Sequence, residues 1–325
     1  MRLGVVWEDV QNANYRALFP MQAMERRGHT VVWPPDMNGK ANARRLAGCD
    51  VVHVYRSVEA HSVLADLVRA GVPMTYDNDD DFMSVPKQSP SYRELGGTKG
   101  HVAFAQSVKM ARMASVCTTT NDLLAQKYRQ ADVARVEVIG NYLSPTLDRP
   151  RNRHDGVVIG WVAALDHRAD AAQIKIAEAL ERLVQRHPQV RVQCIGVDLA
   201  LPERYRHDAW VPYHELPGRI AGFDIAIAPL ADIPFNHARS DIKLKEYAAS
   251  GVPWLASPVG PYLGLGEDQG GRLVPDDGWF EALEQLVTSG RQRRRLARKA
   301  RKWAAGEMVD AVADRWEQVF AEAAG

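Results

Sequence analysis

Cysteine is scarce. Three residues, Cys49, Cys117 and Cys194, stand far apart in a chain of 325. An odd count without metal-ligand spacing gives no disulfide framework and no zinc motif, and reads as core thiols in a reducing cytoplasm. Long hydrophobic runs are missing as well: no stretch approaches the ~20 apolar residues that span a bilayer. The opening MRLGVVW is too short for a secretory leader and reads as a first strand. Excess charge of one sign is lacking, since 41 Lys+Arg face 40 Asp+Glu for a net +1. No global field therefore selects a nucleic acid or a membrane. There is no internal repeat and no low-complexity tract. The composition, 46% hydrophobic and 25% charged, is that of a folded protein long enough for two domains.

Short apolar runs alternate with helical patterns. Leu3–Trp7, Thr30–Trp33, Cys49–Tyr55 and Val72–Tyr76 read as buried parallel strands. Tyr15–Arg27 and His61–Ala70 read as helices between them, each stopped by a glycine. Helices at 102–114 and 122–130 flank a strand at Ser115–Thr119, and Val136–Ile139 follows. Such alternation predicts doubly wound α/β structure, with ligands at the carboxyl ends of the strands. The polar, proline-containing LDRPRNRHDG (147–156) is the best boundary. It divides the chain into 1–148 and 149–304. The second part opens with a strand at Val157–Val162, a helix marked by Ile176, Leu180 and Leu183, and a strand at Val190–Val197.

The stretch FNHARSDIKLKEYAASGVPWLAS (235–257) reads as a loop, a helix from about Ser240 to Ala249, a glycine stop at Gly251 and a strand at Trp254–Ala256. Ser240 is placed to cap the helix. Arg239, Lys243 and Lys245 gather near its N-terminus, where free N–H groups and the helix dipole favour an anion. Glu246, one turn on, can accept hydrogen bonds from two adjacent hydroxyls, as a ribose presents. The residues read either as a diphosphate-plus-ribose site or as a surface helix with an ordinary Lys–Glu mix. KEYAASGVPWLAS resembles the glutamate–alanine–glycine–proline segment of the family 4 glycosyltransferases. The longer FNHARSDIKLKEYAASGVPWLASPVGPY is similar to a bacterial and phage subgroup with Phe-Asn, Lys-Ser, Lys, Glu-Tyr and Gly-x-Pro. The resemblance is strong around 224–262, moderate at 12–30 and 115–142, and weak elsewhere. It implies the GT-B fold: two Rossmann-like domains facing across a cleft. The first would present the acceptor and the second would hold a nucleotide-diphosphate sugar. A last helix, over 305–325, would pack back on the first domain. Glu246 falls where the family has its ribose-binding glutamate. The family's other glutamate, eight residues earlier, is Ala238 here, and Asn236, Arg239 or Asp241 would substitute for its contact to the donor sugar.

Further roles follow from the same resemblance. A Tyr-Arg pair, here Tyr15 and Arg16, opens the subgroup's first helix; Arg16 would reach a donor phosphate or the acceptor, or else is a solvated arginine. Gly160, Trp161 and His167 match a Gly-Trp-x-Gly followed by His, with Ala163 replacing the second glycine. His167 and Arg168 would then supply contacts to phosphate. The region 213–216 would lie near the base, Tyr262 in a loop touching donor phosphates, and Asn141 at the start of the linker. His53, on a strand, is either acceptor-side or a core histidine. TYDNDDDF places Asp77, Asp79, Asp80 and Asp81 within five positions, which needs a cation, hydroxyls or helix N-termini to be tolerated. The subgroup often has such a loop facing the acceptor, where Asp77 or Asp79 would orient or deprotonate its hydroxyl and Asp80 would stand beside it. The rival readings are a divalent-metal Asp-x-Asp of GT-A type and an acidic surface loop. The Pro-, Gly- and Ser-rich 84–100 reads as a lid near the acceptor.

RQRRRLARKARKW (291–303) carries eight positive charges and no acid, on one face of an amphipathic helix. It is either a solvated face or an attraction for an anionic surface or acceptor. The expectation is a cytoplasmic, retaining glycosyltransferase that needs no cofactor and no divalent metal, since Arg239, Lys243 and the helix dipole take the metal's part. The alternative is a non-catalytic nucleotide-sugar-binding protein, suggested by Ala238 and Ala163. Acceptors open to it are a glycan, a lipid-linked sugar, a small molecule, a protein or modified DNA; donor sugar and base leave no signature.

Overall fold

The computed structural model describes residues 1–8, 13–35, 40–146 and 154–325. Among these, β1 (Arg2–Trp7), β2 (Thr30–Val32), β3 (Val51–Tyr55), β4 (Met74–Asn78), β5 (Val116–Thr119) and β6 (Val136–Val138) pair in the order β2-β1-β3-β4-β5-β6. The strands β7 (Val157–Ala163), β8 (Val190–Gly196), β9 (Tyr205–Asp208), β10 (Ile225–Ala228), β11 (Trp254–Ala256) and β12 (Gly271–Leu273) form a second sheet, ordered β12-β11-β10-β7-β8-β9. Every pairing is parallel. Helices cover both faces, so β3, β4, β7 and β10 are buried along their whole length. The expected pair of Rossmann-like sheets is what the chain builds. The expected boundary at 147–156 falls mostly on 147–153, outside the described residues.

Each sheet reverses its order once, between β1 and β3 and between β7 and β10. The crevices that open there, at the carboxyl ends, are the places where such sheets bind ligands.

Several elements differ from the sequence expectation. The helix expected over Tyr15–Arg27 begins as a wider π-helical turn, Asn14–Leu18, and becomes α-helical at Phe19–Arg26. Pro20, at the junction, lacks the N–H that would continue an α ladder backward. Residues 84–100 are not one loop: they contain a short helix, Tyr92–Leu95, and the start of the helix Thr98–Met113.

The chain passes between the halves at two points that lie side by side. Leu143 pairs with Met308, with Leu143 N–H donating to Glu307 (2.9 Å) and Val309 N–H to Leu143 (2.8 Å). The last helix, Ala313–Ala324, then packs on the first sheet. Its Trp316, Val319 and Phe320 join the core containing Leu3, Val5 and Tyr55.

Candidate functional site

A cleft of about 870 Å³ runs between the carboxyl ends of the two sheets. The first half contributes Tyr15, Phe19, Arg56, Asp80 and Phe82 to its wall. The second contributes Ala163, His167, Trp210, Tyr213, Arg239, Lys243 and Glu246.

The helix Ile242–Ala249 projects into this cleft. It ends because Gly251 adopts φ +70°, a left-handed conformation that only glycine takes cheaply. Three-residue spacing puts Lys243 and Glu246 on one face. A continuous hydrogen-bonded chain holds the cations. Asn236 accepts from Arg239 Nε (3.0 Å) and donates through Nδ2 to Asp170 Oδ1 (2.7 Å). Asp170 also accepts from Ala231 N–H (3.1 Å) and pairs with His167 Nδ1 (2.8 Å). An ionised carboxylate only accepts, so Nδ1 carries the proton and His167 Nε2 is left as the acceptor. Lys243 Nζ, 3.0 Å away, donates to it.

This arrangement sets the charges. Burial, then Lys243 and Arg239, push His167 down to about 3, so the ring is neutral at working pH. Burial, then Arg239, push Lys243 down to about 7. Asp170 is held below the usual carboxylate range by His167, Ala231 N–H and Asn236, which outweigh its burial. Two cations thus share a half-buried site, Asp170 lies behind the imidazole, and an anion entering the cleft would relieve the repulsion.

Across the cleft, Tyr15 donates from its hydroxyl to Glu246 Oε1 at 2.5 Å. Burial and the neighbouring Glu246 raise the Tyr15 pKa well above the ordinary phenol value, so the hydroxyl is the donor. The Tyr213 ring stands edge-on to Tyr15 at 5.3 Å.

Of the residues singled out in the sequence, Tyr15, Asp80, His167, Arg239, Lys243 and Glu246 line the cleft. Others are elsewhere. Arg16 is neither solvated nor free to reach a substrate: it is fully buried, and donates from Nε and Nη2 to Asp77 (2.9 and 2.6 Å). Its Nη1 serves Ile139 O (2.5 Å) and Asn141 Oδ1 (3.1 Å). Asp77 is consumed by that pair and by the Thr118 hydroxyl, so it has no oxygen left for an acceptor or a metal. His53 is a core histidine held by Thr75 (2.9 Å) and Arg16 O (2.8 Å), and burial lowers its pKa. Asp79 accepts from Tyr55 (2.8 Å) behind the cleft wall; burial, then Asp80, raise it to about 7. Asn236 acts through Arg239 rather than facing the cleft. Gly160 is required by packing, because a Cβ there would stand 2.0 Å from the Phe223 ring. Arg168 is exposed away from the cleft, and Tyr262 is buried in the core of the second half.

Ser240 does not cap the helix, which starts at Ile242. Its hydroxyl accepts from Asn141 Nδ2 of the other half (3.0 Å). Lys245 turns inward as well, bonding Asn141 O (2.9 Å) and pairing with Glu307 (2.9 Å) and Asp241 (3.2 Å). It stitches the two chain passages together instead of facing an anion.

Sequence reasoning missed Arg56 and Trp210. Arg56 follows β3 with φ +57° and pairs with Asp80 at 2.8 Å. An arginine just past a strand end was the available signal, in VVHVYR. Trp210, 44% exposed, stands on the loop before Tyr213, where an exposed tryptophan beside a cleft offers a stacking face. Among the described residues no three His, Cys, Asp or Glu side chains are grouped to hold a metal ion.

No protein-family model matches the sequence, and no curated protein matches it. Solved structures do match the fold. Anabaena HepE in complex with UDP and glucose superposes with a TM-score of 0.71 at 14% identity, covering 99% of both chains. Sucrose-phosphate synthase from Thermosynechococcus elongatus gives 0.67 at 13% identity, over 99% of this chain and 98% of that one. The pneumococcal O-GlcNAc transferase GtfA, with UDP and GlcNAc, gives 0.62 at 11% identity, over 84% of this chain and 56% of that one. The chain has the two-domain α/β architecture of these GT-B glycosyltransferase structures.

Proposed function

We propose that this protein transfers a sugar from a nucleotide-diphosphate sugar to an acceptor hydroxyl. The observation that carries the reading is the pairing of Arg239 and Lys243 above a neutral His167 ring that the Asp170 carboxylate holds from behind, at the N-terminus of a helix that also holds Glu246. Two cations and a helix dipole favour a diphosphate, and they act most where charge grows on the leaving group. Glu246, which accepts from the Tyr15 hydroxyl, would accept from the ribose hydroxyls. Trp210 and Tyr213 offer aromatic faces for the base. The solved structures of similar fold that contain UDP or UDP-glucose support the same donor class. On the acceptor side Asp80, paired with Arg56, would orient the incoming hydroxyl. We read the chemistry as metal-independent and retaining; glycans, lipid-linked sugars, small molecules and DNA hydroxyls are the acceptor classes to screen.

Thermal shift with UDP, GDP, ADP, CDP and dTDP tests this, each with and without EDTA. At ~100 times its Kd a ligand stabilises by ~2.7 kcal/mol. One diphosphate is expected to stabilise the native protein regardless of EDTA and to leave Glu246→Ala unmoved. No shift with any nucleotide removes the donor-site reading; a shift that EDTA abolishes removes metal independence.

Ala238 favours a second reading, a nucleotide-sugar-binding protein without transfer. It is 1% exposed and brings no carboxylate; its carbonyl accepts from Asn121 Nδ2 at 2.7 Å. Sugar transfer to any acceptor, or slow donor hydrolysis lost in Glu246→Ala, rejects that reading.

A further inference from the structure

The basic helix Gly290–Ala304 borders a second cavity, of about 220 Å³, at the amino-terminal edge of the second sheet. It is lined by Asp224, Ser250, Gly251, Arg293, Arg294 and Arg301. Asp224 precedes β10, and Gly251 lies just ahead of β11, so this cavity is on the edge opposite the cleft.

All three arginines line this cavity. Arg294 Nη1 and Arg293 Nη2 come within 3.3 and 3.7 Å of where a Cβ on Gly290 would stand. The Arg301 guanidinium occupies the space a Cβ on Gly251 would need, 2.0 Å away. Arg293 uses Nη1 to cap the preceding helix, bonding Leu286 O (2.6 Å) and Val287 O (2.8 Å), which leaves its other nitrogens toward the cavity. Arg294 makes no ion pair among the described residues. The single carboxylate, Asp224, is engaged by Val158 N–H (2.9 Å) and lies 3.5 Å from His154. Ser250 is 6% exposed, and its hydroxyl has no hydrogen-bond partner. Burial and the adjacent Arg294 hold the Arg293 pKa below the ordinary guanidinium value. By contrast, Arg295 and Lys299 on the neighbouring face are neutralised by Glu267 and Asp268.

We propose that this pocket is a second anion site, taking the phosphate of a mono- or diester between Arg293 and Arg294, with Arg301 forming part of its wall. Guanidinium forks match phosphate oxygens in pairs, and the first N–H groups of a fifteen-residue helix lie beside them. Arg291, Arg298 and Lys302 continue the charge along the exposed face, so the phosphate belongs either to a soluble ester or to a lipid headgroup.

The test uses the double variant Arg239→Ala/Lys243→Ala as background, which removes both cations that the cleft offers a phosphate. Binding of inorganic phosphate is followed by ³¹P line broadening. Sedimentation is followed with vesicles of phosphatidylcholine, with and without phosphatidylglycerol. Added Arg294→Glu is expected to weaken binding about tenfold or more; Arg298→Glu, the same charge change outside the pocket, is expected to weaken it far less. Loss of phosphate binding identifies a soluble ester site. Sedimentation only with phosphatidylglycerol, lost in Arg294→Glu, identifies a headgroup. Absence of both interactions, or equal effects of Arg294→Glu and Arg298→Glu, overturns the site. Nucleotide stabilisation of Arg294→Glu in the native background stays intact in every case, which separates this result from the donor-site reading.

Discussion

Lys243 sits between a cation and a neutral imidazole, and that position governs its proton. With a pKa of about 7 it is half neutral near neutrality. A diphosphate needs the charged form. Affinity for the stabilising nucleoside diphosphate is therefore expected to fall between about pH 6 and pH 8, approaching tenfold per unit above 7 if the contact requires the proton. Lys243→Arg, charged throughout, should flatten the profile; Lys243→Ala should flatten it and weaken binding at every pH. Calorimetry across pH checks this, and an unchanged slope in Lys243→Arg would exclude Lys243 as its source. Single residues also mark where sequence reading stopped. Arg239, Lys243 and Glu246 were legible because helical spacing and the dipole place them without knowledge of the fold. Arg16, Asp77 and His53 were not. Their meaning lies in burial, and burial came from sheet register, which sets Asp77 beside Thr118, and from the last helix, whose Trp316 and Phe320 rings meet Arg16 and His53. Removing one partner of such a buried pair costs ~3–5 kcal/mol, so Arg16 and Asp77 matter to folding without touching a ligand.

At the level of elements, most strands announced themselves as apolar runs, whereas β9 and β12 did not. They lie at the edges of the second sheet, where β9 is polar and largely exposed and β12 is three residues long. An edge strand needs little apolar sequence because one face and one flank meet water. Read from sequence, the helix Ile242–Ala249 has its end at Ala249 but a start two residues early, because Ser240 accepts from Asn141 across the molecule rather than from the first N–H groups of the helix. Its end is the more demanding position. Gly251→Ala would force a left-handed alanine, which costs ~1–2 kcal/mol, and would displace the Arg301 guanidinium. Thermal unfolding should show a loss of at least that size. In the phosphate assay Gly251→Ala should also weaken the second site, a combination that simple backbone strain would not produce.

At the scale of the whole molecule, side-chain hydrogen bonds tie the two halves together. Tyr15–Glu246, Asn121 to Ala238 O, Asn141–Ser240 and Ser89–Asp166 all bridge from one half to the other. The first competes directly with the proposed ribose. Tyr15→Phe leaves the ring against Tyr213 but removes the phenol hydrogen bond from the Glu246 carboxylate, so the nucleoside diphosphate is expected to bind several-fold tighter. Hydrogen bonds to charged groups are worth ~1.5–3 kcal/mol, part of which the ligand no longer has to displace. Titration of the mutant checks this; unchanged or weaker binding would mean that Tyr15 and ribose do not share Glu246.

The last helix has a consequence in time as well as in space. Its Trp316 and Phe320 complete the core against β1 and β3, made from the other extreme of the chain. At a synthesis rate of ~5–20 residues per second, roughly ten seconds or more separate the completion of β6 from the appearance of that helix. During this interval the nascent first sheet lacks Trp316, Val319 and Phe320, which pack on its apolar face. The first half of the molecule to be made is thus the last to be finished, and a ribosome stalled in the second half would leave it sticky rather than folded.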